Sequence, residues 1–417
     1  MITSLKFKNC FAFNNPVEMS LKADMRTKKF SCNIINENSN NILKSAVLYG
    51  PNNTGKTTLI NCVKAIKNTL LNKKVSLESN LFVDSNICEE SISFIYDKSE
   101  YCFEFKFNDE EHIYLYEKMF EIIKDKYGNE KEEVMYLKDT INDRYECKED
   151  KELEKILTIT SNNNILIYTV QIEKFAILQK IKNILTSIAK KIEIVDMNNI
   201  PNEKTIDMLK NKNNETKKIV EFIKNADLYL EDYYYEDSIG KDIDVKEADD
   251  KVLKKQNLLD QIRLVSVYKG RPVPSVIYDS LGTKKFSALA SYVIEALEQE
   301  KTLFIDELDS SLHFKITRAI ISMFNNEINK EAQLIATLHD VSLLDCKKMF
   351  RKEQIWFTDK NEDGTLLYSL KEFSYADDGI RGDTVNIQDR YSKGAFGAIP
   401  EPDLISALLE VEINEDT

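Results

Sequence analysis

The eight residues Gly50-Pro51-Asn52-Asn53-Thr54-Gly55-Lys56-Thr57 constrain this chain more than any other segment. They satisfy the pattern G-x-x-x-x-G-K-[ST] in full. They also follow the apolar run Ala46-Val47-Leu48-Tyr49 and precede a stretch predicted to be helical from about Gly55 to Leu71, the setting in which that pattern works. The glycines let the backbone curl so that its N–H groups converge on phosphate oxygens, and the helix N-terminus adds partial positive charge. Lys56 is expected to reach the β- and γ-phosphates and Thr57 to hold Mg²⁺. Asn52, Asn53, Thr54 and Thr58 complete the expected nucleotide-binding loop. Glycine is scarce, 11 in 417 residues. A chance match in a chain of this composition is therefore expected only roughly 0.004 times.

A second acidic element lies some 250 residues further on. Thr302-Leu303-Phe304-Ile305-Asp306-Glu307 reads as a buried strand ending in two carboxylates. Asp306 is placed to orient Mg²⁺, and Glu307 to polarise an attacking water. Leu308-Asp309-Ser310-Ser311-Leu312-His313 follows directly, and Leu334 to Asp340 is another apolar strand reaching His339. The chain has three histidines, His112, His313 and His339, and a histidine at such a strand end can donate to a γ-phosphate. His313 reads better as helix-surface packing. Between these elements, Asp279-Ser280-Leu281-Gly282-Thr283-Lys284 precedes a helix. It reads either as a further phosphate cradle or as a plain N-cap by Ser280 or Thr283.

The bulk numbers exclude several classes. A net charge of −13 argues against a domain that coats nucleic acid without sequence preference. The seven cysteines include no C-x-x-C pair, which argues against a structural zinc site. Scattered cysteines in odd number fit reduced thiols, so a cytoplasmic location is expected. The N-terminal Ile2–Lys8 alternates like a strand and does not read as a signal peptide, and no apolar run of 18 residues suggests a membrane span.

At 417 residues the chain has room for two or three domains. The reading is an N-terminal lobe over 1–120 with a strand meander, a helical insertion over 121–260, and a C-terminal lobe over 261–417. Residues 232–251 read as an acidic loop. Leu264–Tyr268, Ser275–Tyr278, Gln354–Thr358 and Leu366–Leu370 read as strands, and Phe286–Leu297 as helix.

The order of these motifs resembles the ABC-type, SMC-like ATPases. The tail Tyr391-Ser392-Lys393-Gly394-Ala395-Phe396-Gly397, the segment Arg381-Gly382-Asp383 and the opening Asn9-Cys10-Phe11-Ala12-Phe13 are similar to a narrower group. These are the AAA/ABC ATPases of bacterial defence loci: RloA-like, AbiL-like and AriA-like proteins, and ATPase-only relatives of the overcoming-lysogenization-defect family. The resemblance implies an α/β P-loop NTPase, a two-lobed head with an antiparallel β subdomain and a helical insertion. It implies ATP and Mg²⁺ as cofactors, with Lys56, Glu307 and His339 catalytic. Gly50, Gly55 and their neighbours would bind nucleotide, Thr57 and Asp306 would hold Mg²⁺, and Asp309 would be the D-loop residue. Ser280 and Gly282 would be a signature acting in trans across a homodimer or higher homo-oligomer. That signature reads Ser-Leu-Gly-Thr-Lys instead of Leu-Ser-Gly-Gly-Gln, and no Q-loop glutamine is assigned, with Gln171 a weakly supported candidate.

The implied function is an ATPase acting as a nucleotide-gated regulator in abortive-infection defence. Its effector would be a separate TOPRIM nuclease-like protein encoded nearby, because the short stretch after Leu370 lacks the acid clusters of such a nuclease. A phage protein or DNA would be the trigger, and no membrane is involved. The alternative is an SMC- or RecF-like DNA-repair or chromosome-associated ATPase, which the acidic charge disfavours.

Overall fold

The computed structural model describes residues 1–37, 40–125, 128–226, 229–239, 258–344, 349–362, 364–373 and 386–400. Two sheets dominate. One has six strands in the order Ile192–Asp196, Thr302–Asp306, Gln333–Thr337, Ser45–Tyr49, Ile355–Asn361, Gly364–Ser369. Its first five strands are parallel and the last is antiparallel. The other has seven antiparallel strands in the order Arg144–Glu146, Glu130–Asp139, Ile113–Lys124, Ser99–Asn108, Ile87–Tyr96, Ile2–Lys8, Val17–Ser20.

The parallel strands are apolar on both faces because both faces are covered. Alternation along each strand divides its side chains between two cores. Ala46, Leu48, Phe304, Ile335 and Trp356 face one core, built with the antiparallel sheet, the phosphate-loop helix Lys56–Leu70 and the helix Ala176–Lys191. Val47, Tyr49, Leu303, Ile305, Leu334, Ala336 and Phe357 face the second, built with the helices Glu203–Asn211, Asn214–Lys224, Leu281–Glu298 and Phe314–Phe324. Each fully buried aliphatic or aromatic side chain contributes about 1.5–3 kcal/mol, so burial on both faces holds the parallel sheet firmly.

Several expectations need correction. Region 121–260 is not a helical insertion throughout. Strands continue to Glu146 in the antiparallel sheet, and Ile192–Asp196 is an edge strand of the parallel sheet. The charged start of Glu130–Asp139 is solvent-exposed while its second half is buried, so charge hid the strand pattern. Asp232–Tyr235, read as acidic loop, pairs with Leu264–Tyr268 because Tyr233 and Tyr235 are buried on one face. The rest of that loop, from residue 240, lies outside the described residues. Ser275–Tyr278 is a single helical turn: Pro274 ends the preceding strand, and the Asp279 amide closes the turn on the Ser275 carbonyl at 3.0 Å.

The tail expected to carry family character packs on the parallel sheet. Tyr391 stacks on Phe357 with ring centroids 5.4 Å apart, and Phe396 lies 5.8 Å from the same ring. Arg381-Gly382-Asp383 lies outside the described residues. Among the described residues, no helix is long and apolar enough to cross a membrane.

Candidate functional site

The phosphate loop is shaped by close approach. A side chain at Gly50 would place its Cβ 2.3 Å from the Thr358 carbonyl oxygen, so only glycine fits. Gly55 caps the helix with φ +97°, a conformation that favours glycine. Thr54 turns away from the cleft: its hydroxyl donates to the Pro51 carbonyl at 2.8 Å and lies 2.8 Å from the Thr358 hydroxyl. Gly50 and Thr54 therefore hold the loop's shape and do not line its cavity.

The cavity, about 300 Å³, is lined by Ala12, Asn52, Asn53, Gly55, Lys56, Thr57, Thr58, Asp306, Glu307 and His339. Residues from four distant stretches of chain thus meet at one place. The parallel strands explain why: all point their C-terminal ends to the same edge, where such sheets bind ligands. Lys56 donates to the carbonyls of Gly50 at 2.7 Å and Pro51 at 2.8 Å. Burial holds its ammonium below the ordinary lysine range, against the pull of Asp306, Glu307 and Asp309.

The acidic pair is organised by Thr337 on the neighbouring strand. Its hydroxyl donates to Asp306 Oδ1 at 2.6 Å and accepts the Glu307 N–H at 2.7 Å. Asp306 closes its strand, and Glu307 takes a left-handed backbone with φ +53°. Such a conformation costs about 1–3 kcal/mol in a non-glycine residue and persists only where the surroundings enforce it. The turn leaves Glu307 half-exposed in the cleft, with Oε1 4.0 Å from His339 Nε2. Asp309 does not line the cavity. It accepts the backbone N–H groups of His339 at 2.7 Å and Asp340 at 2.5 Å, and so positions the histidine.

The signature candidates lie elsewhere. Ser280 caps the helix Leu281–Glu298, accepting the Thr283 N–H at 3.1 Å, and neither Ser280 nor Gly282 lines the cavity. Gly282 instead packs against the segment after Asp309, where an added Cβ would lie 2.5 Å from the Ser311 carbonyl oxygen. Gln171 opens a short turn and does not line the cavity.

The carboxamide that reaches Glu307 belongs to Asn198, which sequence reasoning missed. Its Nδ2 donates to Glu307 Oε2 at 2.9 Å, and its Oδ1 accepts from Ser310 Oγ at 3.2 Å. Ser310 in turn accepts from Lys285 Nζ at 2.9 Å. A continuous hydrogen-bond chain therefore runs from Lys285 on the helix Leu281–Glu298 to Glu307. The one sequence signal for Asn198 was its place just after a short β-branched strand, and the surrounding asparagines masked it.

The fold and the site define a P-loop ATPase of α/β architecture, with hard oxygen donors, a lysine and a strand-end acid pair gathered around a phosphate cradle. Residues 45–345 match the family described as "AAA domain, putative AbiEii toxin, Type IV TA system", and the chain belongs to that family. No curated protein matches it. Similar solved structures include the SMC head domain from Thermotoga maritima, at 12% identity and TM-score 0.40, covering 88% of this chain and 98% of that one. Another is an SMC head bound to the C-winged helix domain of ScpA, at 13% identity and TM-score 0.45, with coverage of 88% and 97%.

Proposed function

We propose that this protein is a Mg²⁺-dependent ATPase that works as a nucleotide-gated regulator in bacterial antiviral defence and controls a separate effector. The observation that carries the reading is the single cleft shared by Lys56, Thr57, Asp306, Glu307 and His339. The Thr57 hydroxyl and the Asp306 carboxylate are hard oxygen donors suited to Mg²⁺. The ion would supply charge neutralisation at the β- and γ-phosphates. Lys56 exchanges its loop carbonyls for phosphate oxygens. Glu307 orients the attacking water, and His339 reports the γ-phosphate.

The defence role is supported by the family description, whose words are "putative AbiEii toxin, Type IV TA system", and by the motif resemblance. A nucleotide-closed homodimer is supported by the exposed apolar residues Ile277, Tyr278 and Leu281, at 70%, 65% and 62% exposure, beside Ser280 and Gly282. Clustered exposed apolar side chains of this kind commonly mark interaction surfaces. The effector is proposed to be nuclease-like.

The test is phosphate release by the purified chain, with Glu307→Gln and Lys56→Ala as variants. Glu307→Gln should abolish turnover, keep ATP binding and accumulate an ATP-dependent dimer, which then serves as bait for the effector. Lys56→Ala should lose binding, and with it any protection of cells against phage. A chain that does not bind ATP would sink the reading, and ATP-dependent binding to DNA without phage protection would favour a DNA-repair role.

A further inference from the structure

Behind the phosphate loop, three cysteines and one glutamate meet in the core. Cys10, Cys62 and Cys88 are fully buried, and Glu90 is 2% exposed. They come from distant elements: Cys10 from the turn after the first strand, Cys62 from the phosphate-loop helix, and Cys88 and Glu90 from one face of the strand Ile87–Tyr96. The sulfurs of Cys10 and Cys62 and a Glu90 carboxylate oxygen all lie within 4.8 Å of one another. The Cys88 thiol is within hydrogen-bonding reach of Cys10.

Glu90 is the telling member. Neither of its carboxylate oxygens accepts from a backbone amide or a hydroxyl, although both are sealed from solvent; only the Cys62 thiol comes near. An uncompensated buried carboxyl is costly and is normally paired or bound to a metal. The Cys10 thiol meets the backbone carbonyls of Lys8 at 3.1 Å and Glu89 at 3.5 Å and otherwise faces the Cys62 and Cys88 thiols.

We propose that Cys10, Cys62, Cys88 and Glu90 form a structural site for a thiophilic divalent cation, zinc above all. Three sulfurs and one oxygen match tetrahedral zinc, with bonds of about 2.3 Å to sulfur and about 2.0 Å to oxygen. The Cys10, Cys62 and Glu90 donors, held within 4.8 Å of one another, need to close by only about an ångström to meet that geometry, and Cys88 completes the set from its place beside Cys10. The absence of a C-x-x-C pair does not count against the site, because the fold and not local spacing brings the donors together.

The location gives the site a consequence. Cys62 is five residues beyond Thr57 on the same helix, and Cys10 is two residues before Ala12, which lines the cleft. The ring of Phe13, whose backbone pairs with Cys10, would touch a Cβ at Gly55 at 3.5 Å. A bound cation would therefore fasten the phosphate-loop helix to the antiparallel sheet and stiffen the loop from behind. This does not depend on the proposed ATPase reading.

The test is metal content of the full chain, grown with zinc and dialysed, measured by inductively coupled plasma mass spectrometry. One zinc per chain is expected. It should be lost in Cys62→Ser and in Glu90→Gln, and retained in Cys102→Ser, a buried cysteine outside the cluster. Exchange of the wild-type chain into cobalt(II) should give a thiolate-to-cobalt charge-transfer band and tetrahedral visible bands, which decides the matter even if the variants fail to fold. A wild-type chain without bound metal or cobalt bands would overturn the proposal. So would zinc that survives both substitutions, or a Cys10–Cys62 disulfide in the non-reduced protein.

Discussion

Asn198 Nδ2 sits 2.9 Å from Glu307 Oε2, across 109 residues of sequence. The contact follows from strand register. Asp196 pairs with Asp306 in parallel, so the residues just past each strand end emerge side by side. A carboxylate on a strained turn is thereby held by a neutral donor that orients it without neutralising it.

Replacing Asn198 with alanine should reduce kcat for ATP by about tenfold or more and leave KM within about twofold. A hydrogen bond to a charged group contributes about 1.5–3 kcal/mol. Steady-state phosphate release measures both constants. Unchanged kcat would show that Glu307 keeps its position without the amide.

The same amide ends the chain that starts at Lys285, so Lys285→Met should lower kcat through Ser310 and Asn198. The double variant Lys285→Met/Asn198→Ala should then lose less than the sum of the single losses, with coupling of about 0.5–3 kcal/mol. Strict additivity in the mutant cycle would mean that the helix and Glu307 act independently.

Thr337→Val leaves the Glu307 N–H and an Asp306 oxygen without their partner. The expected cost is about 1–3 kcal/mol of stability, read by urea denaturation, together with lost activity. Thr337→Ser keeps the hydroxyl and should restore both. If serine fails to rescue, the methyl group is what matters.

Gly282→Ala should push back the segment carrying Ser311, because the new Cβ meets a backbone oxygen at 2.5 Å. Light scattering with ATP in a Glu307→Gln background should then show loss of the dimer. Gly270→Ala is the control: its φ of +70° carries strain, but nothing lies within 4 Å of the added Cβ. Dimerisation there should be unchanged.

Glu117 is fully buried, accepting from Tyr136 Oη at 3.0 Å and the Leu166 N–H at 2.8 Å. Burial pushes its carboxyl above the ordinary carboxylate range, against the opposing pull of Lys138. The native state thus keeps a proton that the unfolded chain has released. Its contribution to stability is complete below the unfolded value of about 4.3 and is lost as pH rises through the native one. Glu117→Gln accepts the same two hydrogen bonds without titrating, so its melting temperature should fall less than that of the wild type between about pH 5 and about pH 8. Parallel pH dependence in the two proteins would refute this.

The phosphate loop was legible in the sequence because it is local. Gly50 through Thr57 set backbone angles and amide directions within eight consecutive residues, and the flanking strand and helix signals agreed with them. The strand ending in Asp306 and Glu307 was legible for a similar reason, since continuous apolar runs mark strands covered on both faces. Asn198, Thr337 and the Cys10–Cys62–Glu90 cluster carry no local signature. Their roles arise from parallel register and from a helix crossing a distant sheet, which are set by packing between residues far apart in the chain. The charged strand Glu130–Asp139 was misread for the same reason: its buried half is recognised only once the neighbouring strand covers it. The sequence by itself determined the chemistry of the phosphate cradle. Only tertiary structure decided which side chains surround the acid that faces it, because long-range pairing places those side chains, and one chain's spacing does not encode it.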